Sequence, residues 1–272
     1  MRRGGGSWVA ALALAACGGG ALSPPPTPQV DAGADAQDAQ DVDARMMPPD
    51  GAGGGLIPPR GGSSGGSGGA APLSGQLEQA GSISYRLIVP GSYAGAPTPF
   101  LIVYSGTEGG AQMTQNLIAV GPQTGTDGFI RAVLDGVQYR DDGAAGAAVL
   151  DDVRMHYNIA NDQSYLLGES AGTTAAESLG FHLRESWFAA YWANDVNAAD
   201  GPAQTAAQIG FAPWGQVGPG GQFALAEQIV SAMRAAGYQL PNPAPYNGAG
   251  ADQHGSPDQF LAAVAWFVGK SR

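Results

Sequence analysis

Phe100-Leu101-Ile102-Val103-Tyr104 is a continuous apolar and aromatic run. A strand with one wet face alternates apolar and polar residues, so an unbroken run must be covered on both faces. That is the condition of a strand in a parallel sheet sandwiched between helices. Phe129 to Leu134 and Ser164 to Leu167 have the same character. Between such runs, Gly146 to Tyr157 sets Val149, Leu150, Val153 and Tyr157 on one helical stripe. Ile83 to Val89 alternates, turns apolar and stops at Pro90-Gly91, which predicts an edge or near-edge strand. Further on, the pattern predicts a helix over 171–184, a strand over 188–192 and another over 209–214. A helix over 223–236, a short strand near 238–240 and a last helix from Pro257, with Ser256 placed to cap it, complete the series. Strands alternating with helices give an α/β fold: a doubly wound, mainly parallel sheet flanked by helices. Its ligands bind at the C-terminal ends of the strands.

This periodic sequence starts only near Leu73, so the 272-residue chain holds one domain, 73–272, behind a long leader. Arg2 and Arg3, the apolar run from Trp8 to Ala16 and then Cys17 make residues 1–17 an export signal. Leu14-Ala15-Ala16-Cys17 resembles a bacterial lipobox, which makes Cys17 the lipidation site of an exported lipoprotein anchored to the membrane rather than spanning it. The alternative is a plain secretory signal with an incidental Cys. The apolar run is too short to cross a bilayer as a helix. Residues 18–72 are rich in Pro, then Asp and Ala, then Gly and Ser. Such a segment cannot bury enough apolar surface to offset its ordering entropy, and it is expected to be a disordered tether. Its aspartates lack the spacing of a calcium loop. Cys17 is the only cysteine, which excludes an internal disulfide and a thiolate zinc site. Nothing in the sequence calls for a metal or organic cofactor. From Leu73 onward there are 17 Asp and Glu against 8 Lys and Arg, so nucleic acid is a poor partner.

The pattern Gly-x-Ser-x-Gly occurs four times, at Ser63, Ser64, Ser67 and Ser170. The first three lie in the Gly/Ser run of the tether, where nothing can position a base. Only Ser170, in Gly168-Glu169-Ser170-Ala171-Gly172, follows a strand and precedes a helix. That context gives the motif its chemistry: a sharp turn with small flanking residues lifts the hydroxyl above the sheet edge at the positive end of a helix. The Ala171 N–H would then be one oxyanion donor. An ordinary turn with a capping serine is the alternative.

The stretch from Leu150 to Asn194 resembles the central region of α/β-hydrolases, namely secreted serine esterases of the polyhydroxyalkanoate depolymerase and feruloyl esterase type. The residues that carry the resemblance are Val153 to Ile159, Tyr165-Leu166-Leu167, Ser170 and Phe188-Ala189-Ala190. It extends more weakly over residues 80–270. It implies hydrolysis of a small or polymeric carboxylic ester through an acyl-serine at Ser170.

Three histidines compete as general base. His182 lies twelve residues into the helix after Ser170, about 18 Å away at about 1.5 Å per residue. His156 precedes the nucleophile strand, against the Ser, acid, His order of this fold. His254, in a loop before the last helix, is favoured. The second oxyanion donor is expected from Gly106 or Thr107, in the loop where the family usually has His-Gly and this chain has Ser105-Gly106. The acid is open. The loop 215–220 after the strand expected over 209–214 contains no carboxylate. Asp195, after the preceding strand, is the first choice. Asp252, two residues from His254, and Gln216, which could orient but not charge-stabilise an imidazolium, are the substitutes. Trp187, Tyr191, Trp192 and above all Trp214 are candidates to line a pocket, with core positions as the alternative. Glu108 and Glu169 could pair for glycoside hydrolysis. Besides an esterase, a serine peptidase and a catalytically impaired binding protein stand as alternatives.

Overall fold

The structure, a computed structural model, describes residues 60–66 and 68–272; Cys17 and the expected signal and linker up to residue 59 lie outside the described residues. Seven strands form one sheet: β1 (Leu73–Ala80), β2 (Ile83–Val89), β3 (Thr98–Tyr104), β4 (Ile130–Leu134), β5 (Ile159–Glu169), β6 (Ala190–Asn194) and β7 (Trp214–Gly218). Their spatial order is β1-β2-β4-β3-β5-β6-β7. β1 pairs with β2 and β2 with β4 in antiparallel register, and every pair from β4 to β7 is parallel.

The helices are α1 (Gly109–Thr124), α2 (Gly143–His156), α3 (Thr173–Glu177), α4 (Ala206–Ile209), α5 (Phe223–Ala236) and α6 (Pro257–Trp266). Along β3 the side chains alternate between two layers. Phe100, Ile102 and Tyr104 belong to the core shared with Val149 and Val153 of α2 and Ile229 and Met233 of α5. Leu101 and Val103 belong to the core with Met113 and Leu117 of α1 and Phe260 and Val264 of α6. Both sets are buried, which is why the run has no polar interruption.

Several elements depart from the sequence reading. β1 was not expected, because its sequence is polar and Leu77 is 61% exposed; an edge strand needs only one covered face. The strand expected over 209–214 is instead the end of the short α4 turn, opened by a reciprocal Thr205–Gln208 capping box and closed by Gly210, followed by β7 starting at Trp214. The sequence of β7 hides it because Gly215 is required there: a Cβ would lie 2.5 Å from the Met233 sulfur. The strand expected near 238–240 is a single bridge between Trp214 and Gln239. Ser256 does start α6, but its side chain makes no capping bond. The helix after Ser170 is three segments: a 3₁₀ turn at Ser170–Gly172, α3, and a π-helical stretch at Ser178–Leu183.

The Gly/Ser run is not entirely outside the fold. Ser63 bridges to Ala160, the Ser64 N–H donates to the Ile159 carbonyl (2.8 Å), and the Ser64 hydroxyl donates to the Tyr157 carbonyl (2.7 Å). The chain hugs β5 so closely that a Cβ on Gly66 would lie 2.4 Å from the Tyr157 carbonyl oxygen. The compact unit therefore begins before Leu73.

At the end of α3, Glu177 is 1% exposed, and one of its carboxyl oxygens has no hydrogen-bond partner. Burial, then the Asp200 charge, push its carboxyl up to about 8. The native state therefore keeps a proton that the unfolded chain releases above the ordinary carboxylate range. Stability falls as pH rises from there through about pH 8. Glu177→Gln is expected to flatten that slope and to raise stability at pH 8 by on the order of 3 kcal/mol. Urea unfolding at pH 5 and pH 8 measures it, and equal gains at both pH values would refute it.

Candidate active site

Ser170 stands at the end of β5 with φ of 45°, a left-handed conformation that costs a serine energy and persists only where neighbours enforce it. The enforcement is visible in the flanking glycines. A Cβ on Gly168 would lie 2.6 Å from the Ala176 Cβ, and one on Gly172 would lie 2.6 Å from both the Ser105 carbonyl oxygen and the Tyr104 Cβ. Asn197 clamps the turn from the β6 side. Its Nδ2 donates to the Ser170 carbonyl (2.9 Å), and its Oδ1 accepts from the Thr173 hydroxyl (2.8 Å). This clamp has no sequence signature, because it joins residues that meet only when β5 and β6 lie side by side.

His254 Nε2 lies 2.9 Å from Ser170 Oγ, close enough for the imidazole to take the hydroxyl proton. The other two histidines are elsewhere: His182 Nε2 is 2.7 Å from Asp200 Oδ2, and His156 Nδ1 is 2.9 Å from the Asp152 carbonyl oxygen.

Of the acid candidates, Asp195 alone sits under the His254 loop. It is 1% exposed, with φ of 52°. Its Oδ2 accepts the N–H of Gly255, the residue next to His254, and its Oδ1 accepts from Gln259 Nε2 (2.7 Å). No hydrogen bond or ion pair joins its carboxylate directly to the imidazole. Asp252 is exposed, and its carboxylate has no partner. Gln216, buried within β7, donates to the Pro243 carbonyl (3.0 Å) and accepts the Val217 N–H (2.9 Å), so it does not orient His254.

Glu169, next to the serine, points inward. Burial first, then the charges of Asp195 and Glu108, raise its carboxyl well above the usual range. Asn194 Nδ2 donates to Glu169 (2.9 Å), and Asn194 Oδ1 accepts from the Trp192 indole N–H (2.9 Å). A buried hydrogen-bonded chain thus runs from Trp192 through Asn194 to Glu169, and Asp195, the residue after Asn194, holds the backbone beside His254. The members of this chain were not singled out from sequence as parts of one network. Glu169 is 7% exposed and its Oε2 is engaged by Asn194, which leaves it unsuited to pair with Glu108 across a glycosidic bond.

Ala171 lies in the 3₁₀ turn after the serine, where no earlier helical turn supplies an acceptor for its N–H. Gly106 is beside Ser170: a Cβ on it would lie 3.3 Å from the Ser170 Cβ. Its N–H is engaged, donating to Glu108 Oε1 at 2.9 Å. Thr107 follows, exposed. Ser105, where the histidine would be expected, is fully buried and accepts the Gly136 N–H (3.1 Å), tying this loop to the one after β4.

The aromatic candidates are mostly core. Trp192 is 1% exposed and Tyr191 2%, while Trp187 lies under the Arg154 guanidinium (5.0 Å). Trp214 starts β7 rather than ending a strand, which puts it at the opposite edge of the sheet from Ser170. There the Lys270 ammonium covers it and Trp266, at 5.1 and 4.9 Å. Among the described residues, no three His, Cys, Asp or Glu side chains come together as metal ligands.

The topology, the serine turn after β5 and the histidine loop before the last helix define an α/β-hydrolase fold. Known structures agree. A thermostable esterase matches with a TM-score of 0.53 and 17% identity over 74% of this chain and 64% of its own. A carboxylesterase from Mesorhizobium loti matches with a TM-score of 0.51 and 17% identity over 72% of this chain and 99% of its own. A dienelactone hydrolase-like promiscuous phosphotriesterase from metagenomic libraries gives 0.50 and 15% over 72% and 97%. The chain thus spans under two thirds of the thermostable esterase. No family model and no curated protein sequence matches.

Proposed function

We propose that this protein is a serine esterase that hydrolyses carboxylic esters through an acyl-serine at Ser170. The observation that carries the reading is the 2.9 Å contact between Ser170 Oγ and His254 Nε2 on a left-handed turn at the sheet edge. In the reaction, Oγ bonds to the ester carbonyl carbon as His254 Nε2 takes its proton, and the carbonyl π pair moves to oxygen. Backbone N–H groups of Ala171 and the Gly106–Thr107 segment stabilise that oxyanion. Collapse breaks the bond to the alcohol oxygen, which leaves with the proton from His254. Water, deprotonated by the same imidazole, then cleaves the acyl-serine to the free acid. The esterases among the fold neighbours support this choice of reaction.

The test is covalent. The purified full-length chain is expected to be labelled by a fluorophosphonate on the peptide containing Ser170 and to turn over a short p-nitrophenyl ester. Absence of both would leave a binding protein on a hydrolase fold.

The N-terminal segment supports a second proposal, that the chain is exported and anchored by lipid on Cys17. Among the described residues no helix is long and apolar enough to cross a membrane. Mass spectrometry of the membrane fraction checks it: an unmodified Cys17 peptide there would refute the anchor.

A further inference from the structure

Glu108 is in an unusual place for a carboxylate. The residue precedes α1, yet it does not cap that helix. Asp135, from the end of β4, accepts the Gly110 N–H instead (3.1 Å). Glu108 turns back, and its Oε1 accepts the Gly106 N–H at 2.9 Å. A Cβ built on Gly106 would lie 2.5 Å from Glu108 Oε2 and 3.3 Å from the Ser170 Cβ. A backbone donor next to the nucleophile is therefore already held by an internal anion. The carboxylate also lines a cavity with Glu169, Asn116, Gly255 and Ser256.

We propose that Glu108 is a gate on the oxyanion site: ionised, it holds the Gly106 N–H and opposes negative charge on the ester oxygen; protonated or displaced, it releases that donor. The proposal rests on the serine esterase reading and identifies what limits it. The surroundings favour the open form. Burial raises the Glu108 carboxyl above its ordinary range against the pull of its own N–H and that of Gly106, and the charges of Asp135 at the end of β4 and Asp195 at the end of β6 act in the same direction as burial. Glu169 at the end of β5 also faces it electrostatically, and His254 lies across Ser170. The site is thus lined by acids on three strand ends. It is built against acyl groups carrying a carboxylate near the scissile carbonyl and suits uncharged ones.

The experiment compares full-length wild type with Glu108→Gln and Glu108→Ala, measuring kcat/KM and the fluorophosphonate labelling rate from pH 4.5 to 9. One substrate is an uncharged p-nitrophenyl ester; the other is a p-nitrophenyl ester ending in a carboxylate. Wild-type kcat/KM is expected to fall as pH rises through the Glu108 titration. Both variants should lose that falling limb and run at least about tenfold faster at pH 8, within the 10²–10³-fold worth of one oxyanion donor. The gain should be larger on the anionic ester. The two variants differ in bulk, so a packing defect in one is exposed by the other. If both label at Ser170 but keep the wild-type profile or are slower at every pH, the gate is wrong and the esterase reading stands. If no form labels or turns over, the esterase reading fails and the gate with it.

Discussion

Ser170→Ala and His254→Ala are each expected to lower kcat on a short p-nitrophenyl ester by about 10⁴- to 10⁶-fold, and the double variant should be no slower than the worse single. The hydroxyl at 2.9 Å from the imidazole is a poor nucleophile without a base, and the imidazole has no proton to take without the hydroxyl. The two act as one unit, so their losses do not add. A residual rate above water should survive, because the oxyanion donors and the substrate cleft remain. Ser170→Gly adds a stability readout. It removes the same oxygen but relieves the left-handed strain at φ of 45°, so it should raise thermal stability while Ser170→Ala does not. Additive losses in the Ser170/His254 double variant would show that the pair does not operate as a nucleophile and its base.

The second large effect separates the two candidate acids. Asp195→Asn is expected to lower kcat by between about 10² and 10⁴-fold, whereas Asp252→Asn should leave it unchanged. Asp195 supports His254 in two ways. Its carboxylate sets a negative charge under the His254 loop, and its oxygens hold the Gly255 N–H and the Gln259 amide. Asparagine keeps the shape and tolerates a positive φ, but it loses the charge and turns an N–H₂ toward one of two donors. Asp252 is exposed and unpartnered, so its charge is screened by water. A larger loss from Asp252→Asn than from Asp195→Asn would reverse the assignment.

Much of this was legible because it is local. The runs at 100–104 and 129–134 marked the central strands, since their composition reports burial on both faces. Helix α5 (Phe223–Ala236) was read with the bounds it has, because its stripe and its closing Gly237 are both local signals. β7 was misplaced by several residues because Gly215 is demanded by Met233 and Tyr238, and Gly218 by Asn194 and Gln259, all from outside the strand. β1 was missed because an edge strand has no apolar signature of its own.

The same division runs through the site. By itself the sequence determined where the candidate nucleophile stands, since strand, small-residue turn and helix are contiguous, and it ranked His254 first by chain order. Only the tertiary structure decided the rest. It put Asp195 under the His254 loop, joined Trp192, Asn194 and Glu169 in a buried chain beside it, moved Trp214 to the far edge, and turned Glu108 onto the Gly106 N–H. The reason is physical. A turn's strain depends on residues a few positions apart, whereas a carboxylate's partners and charge state are fixed by whichever strand ends the sheet brings within a few ångströms of it.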